Sequence, residues 1–271
     1  MARLSINETT TYRWSFEEDV TQYAAAGIPS IGVWRRKVSD YGEAKAVELL
    51  AETGLKVSHL FWAGGFTGSD GRSFRSSVED ATEAIRTAHA LGAPTLVVYS
   101  GARGTHTHNH ARRLFRDALK ELAPLAAELN VQLAIEPMHP GCAGDFTFLN
   151  SLEDGLAMLA AVDHPQVKLL FDTYHLGWDL NVLARIPELV PHLALVQLGD
   201  GRTPPAGEQN RCRLGEGLLP LQAIVERLER AGYRGYYDVE LLGEDVESFD
   251  YRDLLQHIRQ AFARLMGSPE V

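Results

Sequence analysis

Short apolar runs alternate along the chain with longer stretches of helical periodicity. The runs rich in Val, Ile and Leu are RLSINE, SIGVW, KVSHLFW, TLVVYSG, VQLAIEP, VKLLFDT, LALVQLGD and YYDVELLG. Runs that are apolar at successive positions suit strands that are buried on both faces of a parallel sheet. The pattern therefore predicts eight parallel strands separated by helices.

The segments between these runs have the apolar spacing of amphipathic helices. The clearest predicted helices span residues 16–25, 43–53, 78–91, 111–129 and 221–231. Gly27, Gly54, Gly92 and Gly232 follow four of them closely, and glycine takes the left-handed conformation that ends helices at low cost. No linker rich in Pro, Gly or Ser divides the chain, so we expect one closed (β/α)8 TIM barrel, a single domain over residues 1–271.

The alternative architecture is an open α/β sheet that binds a nucleotide. Such a sheet needs a glycine-rich turn between a strand and a helix, of the form GxGxxG or GxxxxGK[ST]. Neither motif occurs, and RLGEGLLP comes late in the chain and contains no lysine. The length of 271 residues also fits a single barrel of about 250 residues. The pattern favours the closed barrel.

Composition and charge narrow the range of partners. The formal net charge of −10 argues against a nucleic-acid partner, because binding the phosphate backbone needs a basic surface. No apolar segment approaches the roughly 18 residues that a membrane-spanning helix requires, and the start MARLSINETTTYRW lacks the pattern of a secretion signal. Cys142 and Cys212 stand far apart, which predicts no disulfide framework. We expect a cytoplasmic protein.

Four consecutive predicted strands, the fifth to the eighth, end in an acid or an amide: Glu136, Asp172, Gln197 and Glu240. In a barrel the active groups come from the carboxyl ends of strands. Burying three carboxylates without cations costs several kcal/mol each, and a divalent cation is the simplest compensation. Oxygen ligands favour Mn²⁺ or Mg²⁺, with Co²⁺ or Zn²⁺ as alternatives. One such carboxylate alone could equally cap a helix or pair with an arginine, so the set carries the prediction.

The segments that contain these residues resemble a known superfamily. IEPMHP, FDTYHLGWD, LVQLGD and DVELLG, in this order, are similar to the xylose isomerase-like sugar isomerases and epimerases, and GIPSIGVWRRKV with GLKVSHLFWAGGF resembles the opening units of that superfamily. The resemblance covers nearly the whole chain. It implies a barrel with one metal ion held by Glu136, Asp172, Gln197 and Glu240. The family usually has histidine where Gln197 stands, although its hydroxypyruvate isomerases use glutamine there.

The resemblance also implies a reaction. In this family the metal chelates a substrate carbonyl and a neighbouring hydroxyl, and proton abstraction beside the carbonyl forms an enediolate. Glu136 and Glu240 would be the acid and base, on opposite faces of the substrate. We therefore expect a metal-dependent isomerase or epimerase of a small keto-sugar or related ketone. A lyase on the same site, such as an inosose-type dehydratase or a 3-keto-glycoside lyase, begins with the same step and is the alternative.

The resemblance suggests further residues that bind the substrate. His175 matches a DxxH pattern, and Arg211 precedes a glycine turn where related enzymes place an arginine, with Arg213 as the alternative if the register shifts by two. His139, in EPMHP, and Trp62, at the end of the third strand, are candidates either for sugar contact or for packing.

Other motifs support weaker hypotheses. His106, His108 and His110 suggest either a second metal site or an exposed loop and helix start, and we expect the latter. Arg35 and Lys37 could meet a phosphate, but no glycine-rich cradle lies nearby, so we do not expect a phosphorylated substrate.

Two functions outside the isomerase and lyase classes also need consideration. A related barrel nuclease that cuts DNA at abasic sites is disfavoured by the negative charge. A sugar-binding barrel without catalysis is the other. Family members often form dimers or tetramers, which implies a homo-oligomer here.

Overall fold

The computed structural model describes residues 3–267. The two ends of the predicted domain, residues 1–2 and 268–271, lie outside the described residues. Within the described chain, no helix combines the length and the apolar character that crossing a membrane requires.

Parallel strands close into a barrel in chain order. The strands are β1 (Leu4–Asn7), β2 (Ser30–Trp34), β3 (Lys56–Gly64), β4 (Thr95–Tyr99), β5 (Gln132–Ile135), β6 (Val167–Asp172), β7 (Leu193–Leu198) and β8 (Tyr237–Val239). Each strand pairs with the next one along the chain, and β8 pairs with β1. Each predicted apolar run matches one of these strands, with β3 extending two residues beyond its run, so the prediction of a (β/α)8 TIM barrel is confirmed.

Helices connect the strands. They are α1 (Phe16–Ala25), α2 (Arg35–Tyr41), α3 (Glu43–Thr53), α4 (Phe74–Ala90), α5 (His108–Glu128), α6 (Leu152–Val162), α7 (Thr173–Leu176), α8 (Val182–Leu189), α9 (Leu221–Arg230), α10 (Glu244–Glu247) and α11 (Tyr251–Leu265). The predicted bounds of α1 and α3 are confirmed, and those of α9 are right to within one residue.

The predicted starts of α4 and α5 were wrong by four and three residues, since these helices begin at Phe74 and His108 rather than at 78 and 111. The prediction began each helix at its first apolar position. The side chains of Ser73 and Thr107 instead accept backbone N–H groups one turn earlier, which caps and extends the helices.

The strand residues divide between two apolar layers according to the two-residue period of a strand. Alternate residues such as Leu96, Val98 and Leu133 pack outward against the helices in the main core. The residues between them, including Val97 and Ala134, form a small cluster inside the barrel. This inner layer fills the barrel, so the functional groups collect at its carboxyl end.

Candidate active site

The two-residue period of the strands directs all four predicted ligands into the barrel. The inner apolar cluster contains Ala134, Leu170 and Leu195, and the residues two positions further along their chains are Glu136, Asp172 and Gln197. In each of these three segments an apolar residue points into the barrel, and a polar residue with the same direction follows it nearer the carboxyl end. The pairing of β6 with β7 places Asp172 directly opposite Gln197.

Glu240 completes this set from β8. Its neighbour Val239 belongs to the outer core, so Glu240 takes the inward direction. Glu136, Asp172, Gln197 and Glu240 are all buried, as the prediction of a site at the strand ends requires.

His175 joins two of these carboxylates. One ligand atom each from Glu136, Asp172 and His175 lies within 4.8 Å of the others, a grouping that could hold a metal ion. The Nε2 atom of His175 is 3.7 Å from Oε1 of Glu136 and 3.9 Å from Oδ2 of Asp172. On the other side of the ring, Nδ1 lies 3.5 Å from Sγ of Cys142. The residue expected to contact substrate thus also lies within reach of the metal position.

Asp172 both caps a helix and pairs with an arginine, the two structural roles that the sequence left open for a single strand-end carboxylate. Its Oδ1 accepts a hydrogen bond of 2.7 Å from the backbone N–H of Tyr174, which caps the one-turn helix α7. Because α7 starts there, His175 is turned back over the strand ends. The other oxygen, Oδ2, is buried and faces Arg211 rather than a capping N–H group.

Arg211 lies among the carboxylates and is only 1% exposed. Its NH2 atom is 2.9 Å from Oδ2 of Asp172 and 2.9 Å from Oε2 of Glu240, and its guanidinium lies 4.6 Å from the ring centre of Tyr174. Arg213 instead pairs with Glu216. The register that places Arg211 in the site is therefore the one the structure adopts.

The amide of Gln197 has a defined orientation. Its Nε2 donates a hydrogen bond of 3.2 Å to Oδ2 of Asp238, a carboxylate that also accepts from Asn7. The amide oxygen is consequently the free end, and it is buried without a hydrogen-bond partner. A buried acceptor without a partner needs an explanation, and a cation supplies one.

The residues present therefore fit a divalent cation. The Gln197 amide oxygen and Nε2 of His175 are buried without a hydrogen-bond partner, and Oδ2 of Asp172 is buried with an ion pair to Arg211 as its contact. Carboxylate and amide oxygens with one imidazole are ligands for Mn²⁺, Mg²⁺ or Zn²⁺. Among the described residues, Arg211 is the one side chain with a fixed positive charge in the lining of the cavity, which also contains Glu136 and Glu240, and it pairs with Asp172 as well.

Burial dominates the ionisation of the site. It raises the pKa of Glu136 well above its usual range, and the charges of Asp172 and Glu240 raise it further. Burial also raises the pKa of Glu240 to about 7, against the opposing effect of Arg211. For His175 the same cause lowers the pKa to about 3. A bound dication would favour the ionised carboxylates and neutral imidazole that ligation needs.

A cavity of about 200 Å³ lies over these groups. Glu136, His175, Arg211 and Glu240 line one part of it, and an aromatic wall lines the rest: Trp34, Phe61, Trp62 and Phe146. The ring of Trp62 is held 4.8 Å from that of Phe61 and 5.3 Å from that of Phe146. Trp62 thus lines the cavity, as sugar contact would require, and also packs against two aromatic rings.

His139 is the one predicted substrate-binding residue that does not line this cavity. Its Nδ1 accepts a hydrogen bond from the backbone N–H of Gly141 at 3.1 Å, and the ring borders a separate cavity of about 250 Å³ behind His175. The geometry favours a turn-stabilising role for His139.

Sequence reasoning missed some groups of the site. Thr9 donates to Oε1 of Glu240 at 3.1 Å, and Gln209 accepts from Arg211 at 2.8 Å. The run RLSINE also ends in polar residues, so the strand-end rule applied to β1 would have pointed to Asn7 and its surroundings. No local pattern marks Gln209, which lies in the long loop after β7.

The histidine tract forms a loop and a helix start. His108 and His110 belong to the first turn of α5, and Nε2 of His106 bonds to the carbonyl of Thr67 at 2.9 Å. Over residues 3–267 the metal-type groupings do not include the tract, so the expected loop and helix start agrees with the structure.

Arg35 and Lys37 lie in ion pairs. Arg35 pairs with Asp80 at 2.9 Å, and Lys37 pairs with Asp19 at 2.5 Å.

Comparisons with known proteins agree with the fold. L-ribulose-5-phosphate 3-epimerase UlaE of Escherichia coli is 27% identical over 212 residues, which is 74% of this chain and 70% of that enzyme. A solved structure of a protein from Sinorhizobium meliloti 1021 aligns with a TM-score of 0.90 and 27% identity, over 97% of this chain and 98% of the other. The zinc-bound structure of the IOLI protein shares the fold, with a TM-score of 0.84 and 19% identity over 98% of both chains.

The most direct match is to a family model. Residues 20–261 match the model described as xylose isomerase-like TIM barrel, which spans the site and all strands except β1. The chain belongs to the xylose isomerase-like TIM barrel family.

Proposed function

We propose that this chain is a divalent-metal-dependent epimerase or isomerase of a small keto-sugar. The observation that carries the proposal is the pair of buried glutamates, Glu136 and Glu240, which line one cavity from strands three apart around the barrel. The similarity to an L-ribulose-5-phosphate 3-epimerase supports the same class of reaction.

Glu136, Asp172, Glu240 and the amide oxygen of Gln197 would hold the ion, with His175 within reach of the first two. When bound, the ion would polarise a substrate carbonyl and so acidify the neighbouring C–H bond. Mn²⁺ and Mg²⁺ are the ions that mainly oxygen ligands favour, whereas His175 as a ligand would favour Zn²⁺ or Co²⁺.

The proton transfers fall to the two glutamates. Epimerisation needs one group to remove a proton from one face of the substrate and another to deliver a proton to the opposite face. Glu136 and Glu240 line the cavity from different strands, so each can serve one face. Thr9 and Arg211 hold Glu240 in place through contacts of 3.1 and 2.9 Å, which fixes where its carboxylate meets the substrate.

The remaining groups orient the sugar and exclude water. Trp34, Phe61, Trp62 and Phe146 offer apolar faces of the kind on which the C–H face of a sugar packs. Over the described residues, Arg211 is the only basic side chain other than His175 in the lining of this cavity, and its contacts with Asp172 and Glu240 keep it beside the substrate. A small-molecule substrate also suits a chain whose formal charge is −10.

Proton exchange provides the test. The purified protein is stripped of metal, reloaded with Mn²⁺ and incubated with L-ribulose, L-ribulose 5-phosphate or D-allulose in D₂O, and NMR follows the carbon next to the carbonyl. We expect deuterium at that carbon and formation of an epimer or isomer, both dependent on the ion. Absence of exchange with every sugar, with and without metal, would contradict the proposal. Exchange accompanied by loss of water would assign the chain to the lyases instead.

Metal content and size are measured on the same preparation. Elemental analysis is expected to find about one divalent ion per chain, and fewer in Glu240→Gln. Light scattering tests the homo-oligomer that we propose from the habit of the family.

A further inference from the structure

The loop after β7 contains a cluster of backbone N–H groups that resembles an anion site. Four of them, from Gly201, Gly215, Gly217 and Leu219, converge at distances of 2.9, 2.9, 3.1 and 3.3 Å on one group. That group is the carboxylate of Asp200, which is buried. The chain's own carboxylate therefore occupies the site, and no donor in this cluster remains for a phosphate.

The loop after β8 is likewise unsuited to a phosphate. Barrels frequently bind phosphate with the loops after strands seven and eight and the start of a short extra helix. The short helix at this position is α10, whose first turn carries the acids Glu244, Asp245 and Glu247. The N–H of Asp245 already donates to the side chain of Asn210 at 3.0 Å. The carboxylate of Asp200 thus fills the first of these two customary phosphate positions, and the acids of α10 lie at the second.

The mouth of the active-site cavity is also lined by negatively charged residues. It widens to about 880 Å³, and its charged lining residues are Asp145, Glu208 and Glu247, all exposed. In the part of the chain that the structure describes, no lysine or arginine lines this mouth. A phosphate dianion entering it would meet three like charges and no partner.

The arginines near the mouth already have partners. Arg13 donates to the carbonyl of Glu247 at 2.5 Å and lies 4.4 Å from the ring centre of Tyr251. Arg202 pairs with Asp245 at 2.5 Å. Inside the cavity, Arg211 is held by two carboxylates. A phosphate group would have to displace one of these contacts to gain a cation.

From these contacts we infer that the site takes an uncharged, unphosphorylated keto-sugar and discriminates against the phosphate ester. The inference rests on the proposed function and specifies its substrate class. It sets this chain apart from its relative UlaE, whose name gives a phosphorylated substrate. The aromatic wall binds the uncharged carbon face of the sugar, while the carboxylates around the mouth repel the ester.

Paired substrates test the inference. The Mn²⁺-loaded protein is assayed with L-ribulose and with L-ribulose 5-phosphate, each at low and at high ionic strength. We expect kcat/KM for the free sugar to exceed that for the ester by tenfold or more, because three like charges act on the dianion. The difference should shrink as salt screens the mouth. An ester used as well as or better than the free sugar overturns the inference and leaves the proposed function standing. Absence of exchange with both compounds and with D-allulose overturns the proposed function, and the inference with it.

Two variants with the same change in net charge test whether the discrimination against the ester arises at the mouth. The triple variant Asp145→Asn, Glu208→Gln, Glu247→Gln neutralises the mouth. The control Glu48→Gln, Glu52→Gln, Glu128→Gln makes the same change in net charge on the exposed faces of α3 and α5. We expect the ratio of kcat/KM for ester to that for free sugar to rise about fivefold in the first variant and to stay constant in the control. An equal change in both, or no change in either, would contradict discrimination by the mouth.

Discussion

Buried carboxylates gather at two places on the same end of the barrel, and only one of these places has the features of a catalytic site. One cluster, which we call the β1–β2 cluster, consists of Glu8, Asp19 and Lys37. The other is the active-site cluster of Glu136, Asp172 and Glu240 with Arg211. Each contains acids, a single basic residue with a fixed positive charge and little exposure to solvent.

Most polar groups of the β1–β2 cluster have partners within the chain. Lys37 lies 2.5 Å from Asp19 and also donates to the carbonyls of Glu8 and Thr11. Glu8 accepts the backbone N–H of Trp34 at 2.6 Å. Burial raises the pKa of Glu8 well above its usual range, and the charge of Asp19 together with a hydrogen bond between the two carboxyl groups raises it further. Lys37 and Asp19 pair with each other, whereas Oε1 of Glu8 is buried without a hydrogen-bond partner, so this cluster also leaves an atom unsatisfied.

The active-site cluster leaves atoms free. Asp172 and Glu240 share one arginine, and the Gln197 amide oxygen and Nε2 of His175 are buried without a hydrogen-bond partner. Burial, a position at a strand end and an unpartnered buried atom are common to both clusters, so none of these features identifies function. The cavity distinguishes the active-site cluster, because Glu136, His175 and Glu240 line it and Glu8 and Asp19 do not.

The largest predicted effect is a loss of catalytic activity, which we expect from a substitution in the active-site cluster. We expect Glu136→Gln to lower kcat on the order of 1,000-fold or more, because the substitution removes both a proton-transfer group and a metal ligand. Stability without metal should be unchanged or higher, since burial and the charges of Asp172 and Glu240 already disfavour the ionised form of Glu136. Steady-state kinetics and thermal unfolding measure both. Retention of more than a tenth of the activity would contradict the assignment, and Glu128→Gln on the surface is the control.

Lys37→Met, in the β1–β2 cluster, should lower stability and leave catalytic activity nearly unchanged. Loss of the ammonium leaves Asp19 buried without its cation, which costs about 3–5 kcal/mol of unfolding free energy. The kcat of the folded enzyme should stay within about threefold of the parent. Urea unfolding and active-site-normalised kinetics measure the two quantities. The exposed Lys45→Met serves as control, and a strong loss of kcat in folded Lys37→Met would end the distinction between the clusters.

Asp238 orients the Gln197 amide, so Asp238→Asn should weaken Mn²⁺ binding about tenfold. The new amide can donate to the Gln197 oxygen and thus compete with the ion for it, an effect typical of groups that orient a ligand. Isothermal titration calorimetry measures the affinity directly. Ser58→Ala alters the same buried network without a contact to Gln197 and should leave the affinity unchanged. Equal affinities in the parent and Asp238→Asn would show that Gln197 is not a ligand.

The smallest expected effect concerns pH. The folded-state pKa of Glu8 is raised mainly by burial, so the folded chain binds this proton more tightly than the unfolded chain does, and stability falls as pH rises above the unfolded pKa. Glu8→Gln imitates the protonated acid and should add roughly 1 kcal/mol at pH 8. The gain should disappear near pH 4, where the parent is protonated in both states. Urea unfolding at the two pH values measures it, and a gain of the same size at both would contradict the assignment.

The amino-acid sequence by itself determined the order and number of the strands and the inward direction of the acids. These features depend on local periodicity: a two-residue alternation places Glu136, Asp172 and Gln197 above apolar residues that point into the barrel. Since neighbouring strands are also neighbours in sequence, the acids at their ends had to meet.

Only the tertiary structure decided how the four expected ligands are arranged. Arg211, from a long loop, pairs with both Asp172 and Glu240, His175 lies beside Glu136 and Asp172, and His139 does not line the cavity. The orientation of Gln197 depends on Asp238, which lies forty-one residues further along the chain. Such contacts follow from strand register and loop packing between distant segments, and no local pattern contains that information. The same physics made Glu8, also at a strand end, a structural acid and left the carboxylates of β5, β6 and β8 available for chemistry.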